Sequence, residues 1–135
     1  MPNKLEQLAA LTEIVADTGD LASIRRLQPR DATTNPSLLL KLAHSEDGSK
    51  LLADARHLAR AVEKHPSAAL LCDAFAVVAG TQISHCVTGL VSTEVDARLS
   101  FDVPAMLMHA RRIHLLYREM NVGRERILIK LASTW

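Results

Sequence analysis

Four short runs of β-prone residues, separated by stretches with helical periodicity, constrain the fold of this 135-residue chain more than any other feature. The runs cover 14–17, 31–35, 90–96 and the residues from 127 onward. Strands that alternate with helices along a chain imply right-handed βαβ units and parallel pairing, which predicts an α/β fold. No linker, repeat or low-complexity segment interrupts the sequence, so a single domain over residues 1–135 is expected.

The stretches between these runs have apolar residues at helical spacing. Helices are predicted over 4–11, 21–27, 37–44, 50–64, 68–87 and 103–120. The helix over 68–87 is apolar nearly all round, which predicts either burial or a partner surface, and the sequence leaves both open. The apolar face predicted for the last helix consists of Met106, Leu107, Ala110, Ile113, Leu116 and Tyr117.

Each predicted strand carries a polar residue near its carboxyl end, namely Asp17, Asn35, Glu94 and Lys130. Residues two apart in a strand share a face, which adds Asp31 and Thr33 to Asn35, and Ser92 and Asp96 to Glu94. An open sheet with helices on both faces would bury these polar rows at a high cost. In a barrel the rows meet in the interior, and active sites lie at the carboxyl ends of the strands.

Lys130 stands in an otherwise apolar run, and two interpretations are open. Burial among apolar groups would lower its pKa and make its amine a nucleophile for carbonyls. Alternatively, the side chain reaches solvent at the open end of the sheet. Asp17 and Asn35 likewise have structural alternatives, in a turn and in a hydrogen bond around Pro36. A lysine grouped with carboxylates and an amide favours Schiff-base chemistry.

Composition argues against several classes of function. The net charge is +1 and aromatic residues make up 3%, which predicts no nucleic-acid surface. A basic cluster, Arg111, Arg112, Arg118, Arg124 and Arg126, is interpreted as a solvated helix face. No apolar run is long enough for a membrane span, and the histidines and two cysteines show no metal-binding spacing. The reducing cytoplasm is the expected setting.

Four ordered motifs resemble the transaldolase family: VADTG at 15–19, DATTNPS at 31–37, VSTEVDARLS at 91–100 and ILIKLASTW at 127–135. The resemblance implies a (β/α)8 barrel of the class I aldolase type, without metal or cofactor. Its reaction moves a dihydroxyacetone unit from a ketose phosphate to an aldose phosphate in the pentose phosphate pathway. Sugar phosphates are therefore the expected partners.

By the same resemblance, Lys130 would form the Schiff base with the C2 carbonyl of the donor. Asp17 would take the proton of the C4 hydroxyl, and Glu94 would act through a water in forming and hydrolysing the imine. Asn35 would hold the hydroxyls of dihydroxyacetone. Thr33 and Ser92 would belong to the surrounding shell.

A complete barrel of this type needs about 250 residues. The chain is therefore expected to form only the first half, about β1–β4, and to cover its open edges by self-association as a homo-oligomer. Two alternatives to transaldolase activity remain. One is a non-catalytic half-barrel that serves as an assembly or interaction module, and the other is a related class I aldolase that cleaves without transferring.

Overall fold

The structure, a computed structural model, describes residues 2–134. Its helices are α1 (Lys4–Ala9), α2 (Leu21–Leu27), α3 (Pro36–Ala43), α4 (Gly48–Val62), α5 (Ala68–Ser84) and α6 (Val103–Glu119). Its strands are β1 (Val15–Asp17), β2 (Asp31–Thr33), β3 (Val91–Glu94) and β4 (Ile127–Lys130). The strands form one parallel sheet in the order β1-β2-β3-β4. This confirms the α/β fold, and the sheet is consistent with the first half of a (β/α)8 barrel.

Side-chain caps explain where the helices begin. Asn3 and Glu6 form a reciprocal capping box at α1, and Asp20, Ser67 and Asp102 each accept a backbone N–H at the start of α2, α5 and α6. These contacts satisfy amide groups that have no partner within the helix. The predicted helix starts are therefore close to those observed, and the largest shift is two residues, at α4.

Helix α5 ends earlier than the sequence predicts, at Ser84 rather than Val87. The N–H of Cys86 bonds to the carbonyl of Ile83, which tightens the last turn and ends the helix. Gly89 follows this turn and lies against the carboxylate of Asp31, where a β-carbon would collide. The glycine thus permits close approach of the loop to the start of β2.

Helix α5 is the centre of the core, which resolves the two interpretations of its apolar sequence in favour of burial. It packs against α4, α6 and β3. Its fully buried side chains include Leu70, Ala74, Val77, Ala79 and Ile83. A helix that is apolar on all sides is buried when its sides pack against other elements, as those of α5 do.

The apolar face predicted for α6 is wrong at one residue. Leu107 is 45% exposed, and His109 is buried in its place. His109 lies 3.3 Å from the carboxylate of Asp73 on α5, and the guanidinium of Arg112 lies 2.5 Å from the same carboxylate. Polar partners on the facing helix therefore allow His109 to be buried.

Two arginines of the predicted solvated cluster also have structural contacts. Arg112 pairs with Asp73, and Arg126 donates hydrogen bonds to the carbonyls of Ser84, Val87 and Gly89. Arg126 thereby satisfies carbonyls at the carboxyl end of α5, where a cation is also favoured by the helix dipole. The interpretation of a purely solvated face is wrong for these two residues.

A buried hydrogen bond between Thr93 and Tyr117 joins β3 to α6. The two hydroxyl oxygens are 2.5 Å apart, and burial raises the pKa of Tyr117 to about 12. Gly80 on α5 completes the contact, because a β-carbon there would collide with the Tyr117 hydroxyl. Thr93 immediately precedes Glu94, so this contact fixes the end of the strand that carries the carboxylate.

Among the described residues 2–134, no helix combines the length and apolar character needed to cross a bilayer. Cys72 and Cys86 are both free thiols.

Candidate active site

The two faces of the sheet have different environments. Ala32, Val91 and Thr93 are buried at 1% exposure or less on the face that packs against the helices. The opposite face is called the free face here, and it carries Val15, Asp17, Thr33, Ser92, Glu94, Leu128 and Lys130. Val15 and Leu128 are about half exposed, so no described element covers the free face. The polar rows predicted from the sequence lie on it.

Lys130 and Glu94 form an ion pair at the carboxyl ends of their strands. The ammonium Nζ lies 2.9 Å from Oε2 of Glu94, and the two residues are register partners in the β3–β4 ladder. Opposed residues in neighbouring strands point to the same side, so the register itself brings these groups together.

Asp17 and Thr33 form a second polar pair on the same face. The Thr33 hydroxyl donates to the Asp17 carboxylate at 2.8 Å, and the two residues are partners in the β1–β2 register. Asp17 is exposed and Thr33 is half-buried. The hydrogen bond restricts the orientation of the carboxylate, while the exposure leaves it accessible to a substrate.

Ser92 and Asn35 are positioned less directly. Ser92 is a register partner of Thr33 and of Leu128, which places it between the two polar pairs. Asn35 caps α3, and its side-chain oxygen accepts the N–H of Leu38 at 3.0 Å. The structural alternative considered for Asn35 is thus present. Its side-chain amide nitrogen makes no hydrogen bond within residues 2–134.

Two further carboxylates of the predicted polar rows serve structural contacts. Asp31 accepts the N–H of Leu90 at 2.6 Å, and Asp96 caps a short 3-10 helix over Ala97–Leu99. The guanidinium of Arg98 also bonds Asp96 and holds the pKa of that carboxyl below its usual value. Neither residue is therefore as available for chemistry as Asp17 and Glu94.

The prediction that burial lowers the pKa of Lys130 is wrong in this structure. The Lys130 side chain is 55% exposed, and the hydrogen bond and charge of Glu94 raise its pKa above the ordinary value of 10.5. Opposite charge stabilises the ammonium form, and little desolvation opposes it. The solvent-reaching alternative describes this lysine, now with a carboxylate partner.

Asp17 contributes to the same rise in the pKa of Lys130, although two strands separate β1 from β4. The hydrogen bond and charge of Glu94 are the larger causes of the rise. The arrangement assembles an amine, two carboxylates and a hydroxyl around one surface.

Two grooves adjoin the site, and they contain residues that sequence analysis did not single out. A groove of ≈ 590 Å³ borders Asp17 and includes Lys41, and another of ≈ 500 Å³ borders Glu94 and includes Arg98. Lys41 and Arg98 lie outside the strands, so the spacing of residues within a strand cannot place them beside the site. The position of Arg98 two residues after Asp96 was a usable signal for their pairing.

Within residues 2–134, no group of three or more His, Cys, Asp or Glu side chains has the arrangement to hold a metal ion. The chemistry available on the free face is that of an amine nucleophile with carboxylate acid/base groups.

Comparison with known proteins identifies the family. The model of the family described as "Transaldolase/Fructose-6-phosphate aldolase" matches residues 14–135. The chain belongs to this family. A curated relative named "Transaldolase", from Stutzerimonas stutzeri (strain A1501), is 51% identical over 136 residues. The match covers 100% of this chain and 42% of that relative, so the chain spans less than half of the relative's length. Lys130, Asp17 and Glu94 all lie within the region that matches the family.

Proposed function

We propose that the chain supplies the Schiff-base half of a transaldolase active site. The reaction transfers a dihydroxyacetone unit from a ketose phosphate, sedoheptulose 7-phosphate or fructose 6-phosphate, to an aldose phosphate. Its setting is the pentose phosphate pathway in the cytoplasm. The observation that carries the proposal is the Lys130–Glu94 pair on the same free face as the Asp17–Thr33 pair.

In the first step, Lys130 must lose a proton before it attacks the C2 carbonyl of the donor. Glu94 is placed to accept that proton, because its carboxylate already hydrogen-bonds to Nζ at 2.9 Å. Attack forms a carbinolamine, which loses its hydroxyl as water to give the protonated imine. Glu94, acting through a water, returns the proton that this dehydration requires.

Bond cleavage then needs a base at the C4 hydroxyl. Asp17 takes the hydroxyl proton, the C3–C4 bond breaks, and its electron pair moves into the imine to form an enamine. The aldose product leaves, and the enamine carbon attacks the aldehyde of the acceptor, whose oxygen takes the proton back from Asp17. Hydrolysis of the new imine releases the product and Lys130.

The other polar residues hold the reacting groups. Thr33 orients the Asp17 carboxylate through their 2.8 Å hydrogen bond. The side-chain amide of Asn35 donates to the hydroxyls of the dihydroxyacetone unit, while its oxygen caps α3. Ser92 lies between the two pairs and contributes a hydroxyl to the surrounding shell. Such fixed positioning supplies much of the rate in reactions of this kind.

The test is reductive trapping of the imine. The protein is incubated with fructose 6-phosphate, reduced with borohydride and analysed by peptide mass spectrometry. We expect an adduct at Lys130 that is lost in Lys130→Ala. It should persist in Lys50→Ala, which removes an exposed lysine of α4. A three-carbon adduct would also report C3–C4 cleavage. Absence of any adduct in a folded sample would contradict the proposal.

A second candidate is aldol cleavage without transfer, since the description of the matching family also names fructose-6-phosphate aldolase. A coupled assay with erythrose 4-phosphate as acceptor separates the two, because only transfer depends on the acceptor. A third candidate is the non-catalytic module, which the raised pKa and 55% exposure of Lys130 favour, because both keep the amine protonated. A folded protein without an adduct would support that candidate.

A further inference from the structure

The candidate site is divided by the line along which β2 and β3 pair, called the β2–β3 seam here. Asp17 and Thr33 lie on β1 and β2, whereas Glu94 and Lys130 lie on β3 and β4. Each pair is joined directly by its side chains, but no hydrogen bond between side chains joins one pair to the other within residues 2–134. The distance between the carboxylate of Asp17 and the amine of Lys130 therefore depends on how the seam is held together.

The β2–β3 seam has the shortest ladder in the sheet. Its register contains two residue pairs, Ala32 with Val91 and Thr33 with Ser92. The β1–β2 ladder contains three pairs and the β3–β4 ladder contains four. A short ladder provides fewer backbone hydrogen bonds. Any further hydrogen bond across this seam therefore contributes more to holding the two halves of the site in place.

Thr34 supplies such a hydrogen bond directly after the end of β2. Its backbone N–H and its hydroxyl both donate to the carbonyl oxygen of Ser92, at 2.9 and 3.0 Å. A carbonyl oxygen has two lone pairs and can accept both. Thr34 is 1% exposed, so water does not compete for either bond. The hydroxyl thus adds a buried bond to the seam, two residues before Glu94.

The consecutive threonines at 33 and 34 hold β2 on both sides. Successive residues of an extended chain point to opposite faces of a sheet. On the free face, the Thr33 hydroxyl donates to the Asp17 carboxylate of β1. On the face covered by helices, the Thr34 hydroxyl donates to β3. Asn35 follows at once and caps α3. The turn that carries Asn35 is therefore held from three sides.

We propose that Thr34 is a positioning residue, whose hydroxyl holds the two polar pairs of the site at a fixed separation across the β2–β3 seam. This inference rests on the proposed function for the roles of the reacting groups. Imine formation uses Lys130 and Glu94, which lie on the same side of the seam. Cleavage of the C3–C4 bond also needs Asp17, which lies on the other side. A looser seam should therefore slow cleavage more than imine formation.

The first test separates the two steps by reductive trapping. The protein is mixed with fructose 6-phosphate, and borohydride is added at a series of times. Peptide mass spectrometry gives the ratio of the six-carbon adduct at Lys130, which reports imine formation, to the three-carbon adduct that remains after cleavage. Thr34→Val keeps the branched shape and removes the hydroxyl, so it should raise this ratio at least about tenfold at early times. Total adduct should accumulate at nearly the wild-type rate.

Two control variants distinguish positioning from a general loss of structure. Thr34→Ser keeps the hydroxyl and should retain the wild-type ratio of adducts. Thr81→Val makes the same change at a threonine that is 3% exposed on α5, outside the sheet, and should also leave the ratio unchanged. A Thr34→Val variant that loses both adducts in proportion, or that keeps the wild-type ratio, would overturn the proposal.

The second test measures the seam without substrate, by amide hydrogen exchange followed by NMR. The N–H of Ala32 donates to Leu90 across the β2–β3 seam, at 3.0 Å. The N–H of Val95 donates to Lys130 across the β3–β4 ladder, also at 3.0 Å, and is the internal reference. Thr34→Val should lower the protection factor of the Ala32 amide about fivefold and leave that of the Val95 amide unchanged.

The two tests fail in different ways. A folded wild-type protein that forms no adduct would refute the proposed function. Equal losses of protection at Ala32 and Val95, or no loss at Ala32, would refute the role of Thr34 even in a protein that forms both adducts. Equal losses would mean that the hydroxyl stabilises the whole sheet rather than this seam.

Discussion

The hydroxyl groups of Thr93 and Tyr117 should stabilise the fold as a coupled pair, because both are removed from water and hydrogen-bond to each other. Thr93 is 0% exposed and Tyr117 is 1% exposed, with 2.5 Å between their oxygens. Tyr117→Phe leaves the Thr93 hydroxyl buried without this partner, and Thr93→Val does the same to Tyr117. Each single variant should therefore lose stability through an unsatisfied group as well as a lost bond.

The size of the effect follows from that burial. A buried hydroxyl left without a partner costs about 2 kcal/mol, whereas removing both partners together is close to neutral. We expect about 2 kcal/mol for each single variant, at most about 1 kcal/mol for the double variant, and therefore a coupling energy of at least about 3 kcal/mol. For a chain of this length, Tyr117→Phe should lower Tm by about 6–10 °C.

The assay is urea unfolding followed by far-UV circular dichroism, on the wild type, both single variants and the double variant. Protein concentration must be held constant, because self-association would add to the apparent stability. Thr88→Val is the control, since Thr88 is exposed and its substitution should change stability by less than about 0.5 kcal/mol. Additive losses in the double variant would refute the reasoning, because they would mean that the two hydroxyls stabilise the fold independently.

Three further predictions concern ionisation and burial. Tyr117 is the single tyrosine of the chain, so tyrosinate absorbance should appear only near its pKa of about 12. Because a tyrosine in the unfolded chain ionises near pH 10, roughly 3 kcal/mol of stability should be lost between pH 10 and about 12 in the wild type but not in Tyr117→Phe. Glu94→Gln should lower the pKa of Lys130 toward 10.5. Carbamylation of Lys130 should then reach its midpoint at a lower pH than in the wild type, as measured by mass spectrometry with Lys50 as internal reference. An unchanged midpoint would contradict the ion pair. Thr81→Val should raise the free energy of unfolding by about 1 kcal/mol, because the Thr81 hydroxyl is buried without a hydrogen bond among the described residues; a loss of stability would show that this hydroxyl does have a partner.

The order and type of the main elements could be predicted from the sequence, because each follows from local pattern. Runs of β-prone residues indicated the strands, and apolar residues at helical spacing indicated the helices. Helix ends were less predictable. The end of α5 depends on a tightened last turn at Ile83 and on Arg126, which lies about forty residues further along the chain.

The polar pairs show where reasoning from the sequence stops. The two-residue period places Glu94 and Lys130 at strand ends, but only the β3–β4 register makes them direct partners. The same limit applies to His109, whose burial depends on Asp73 from another helix. In both cases the local pattern identifies a polar residue, and a contact distant in sequence decides whether it ionises, pairs or is buried.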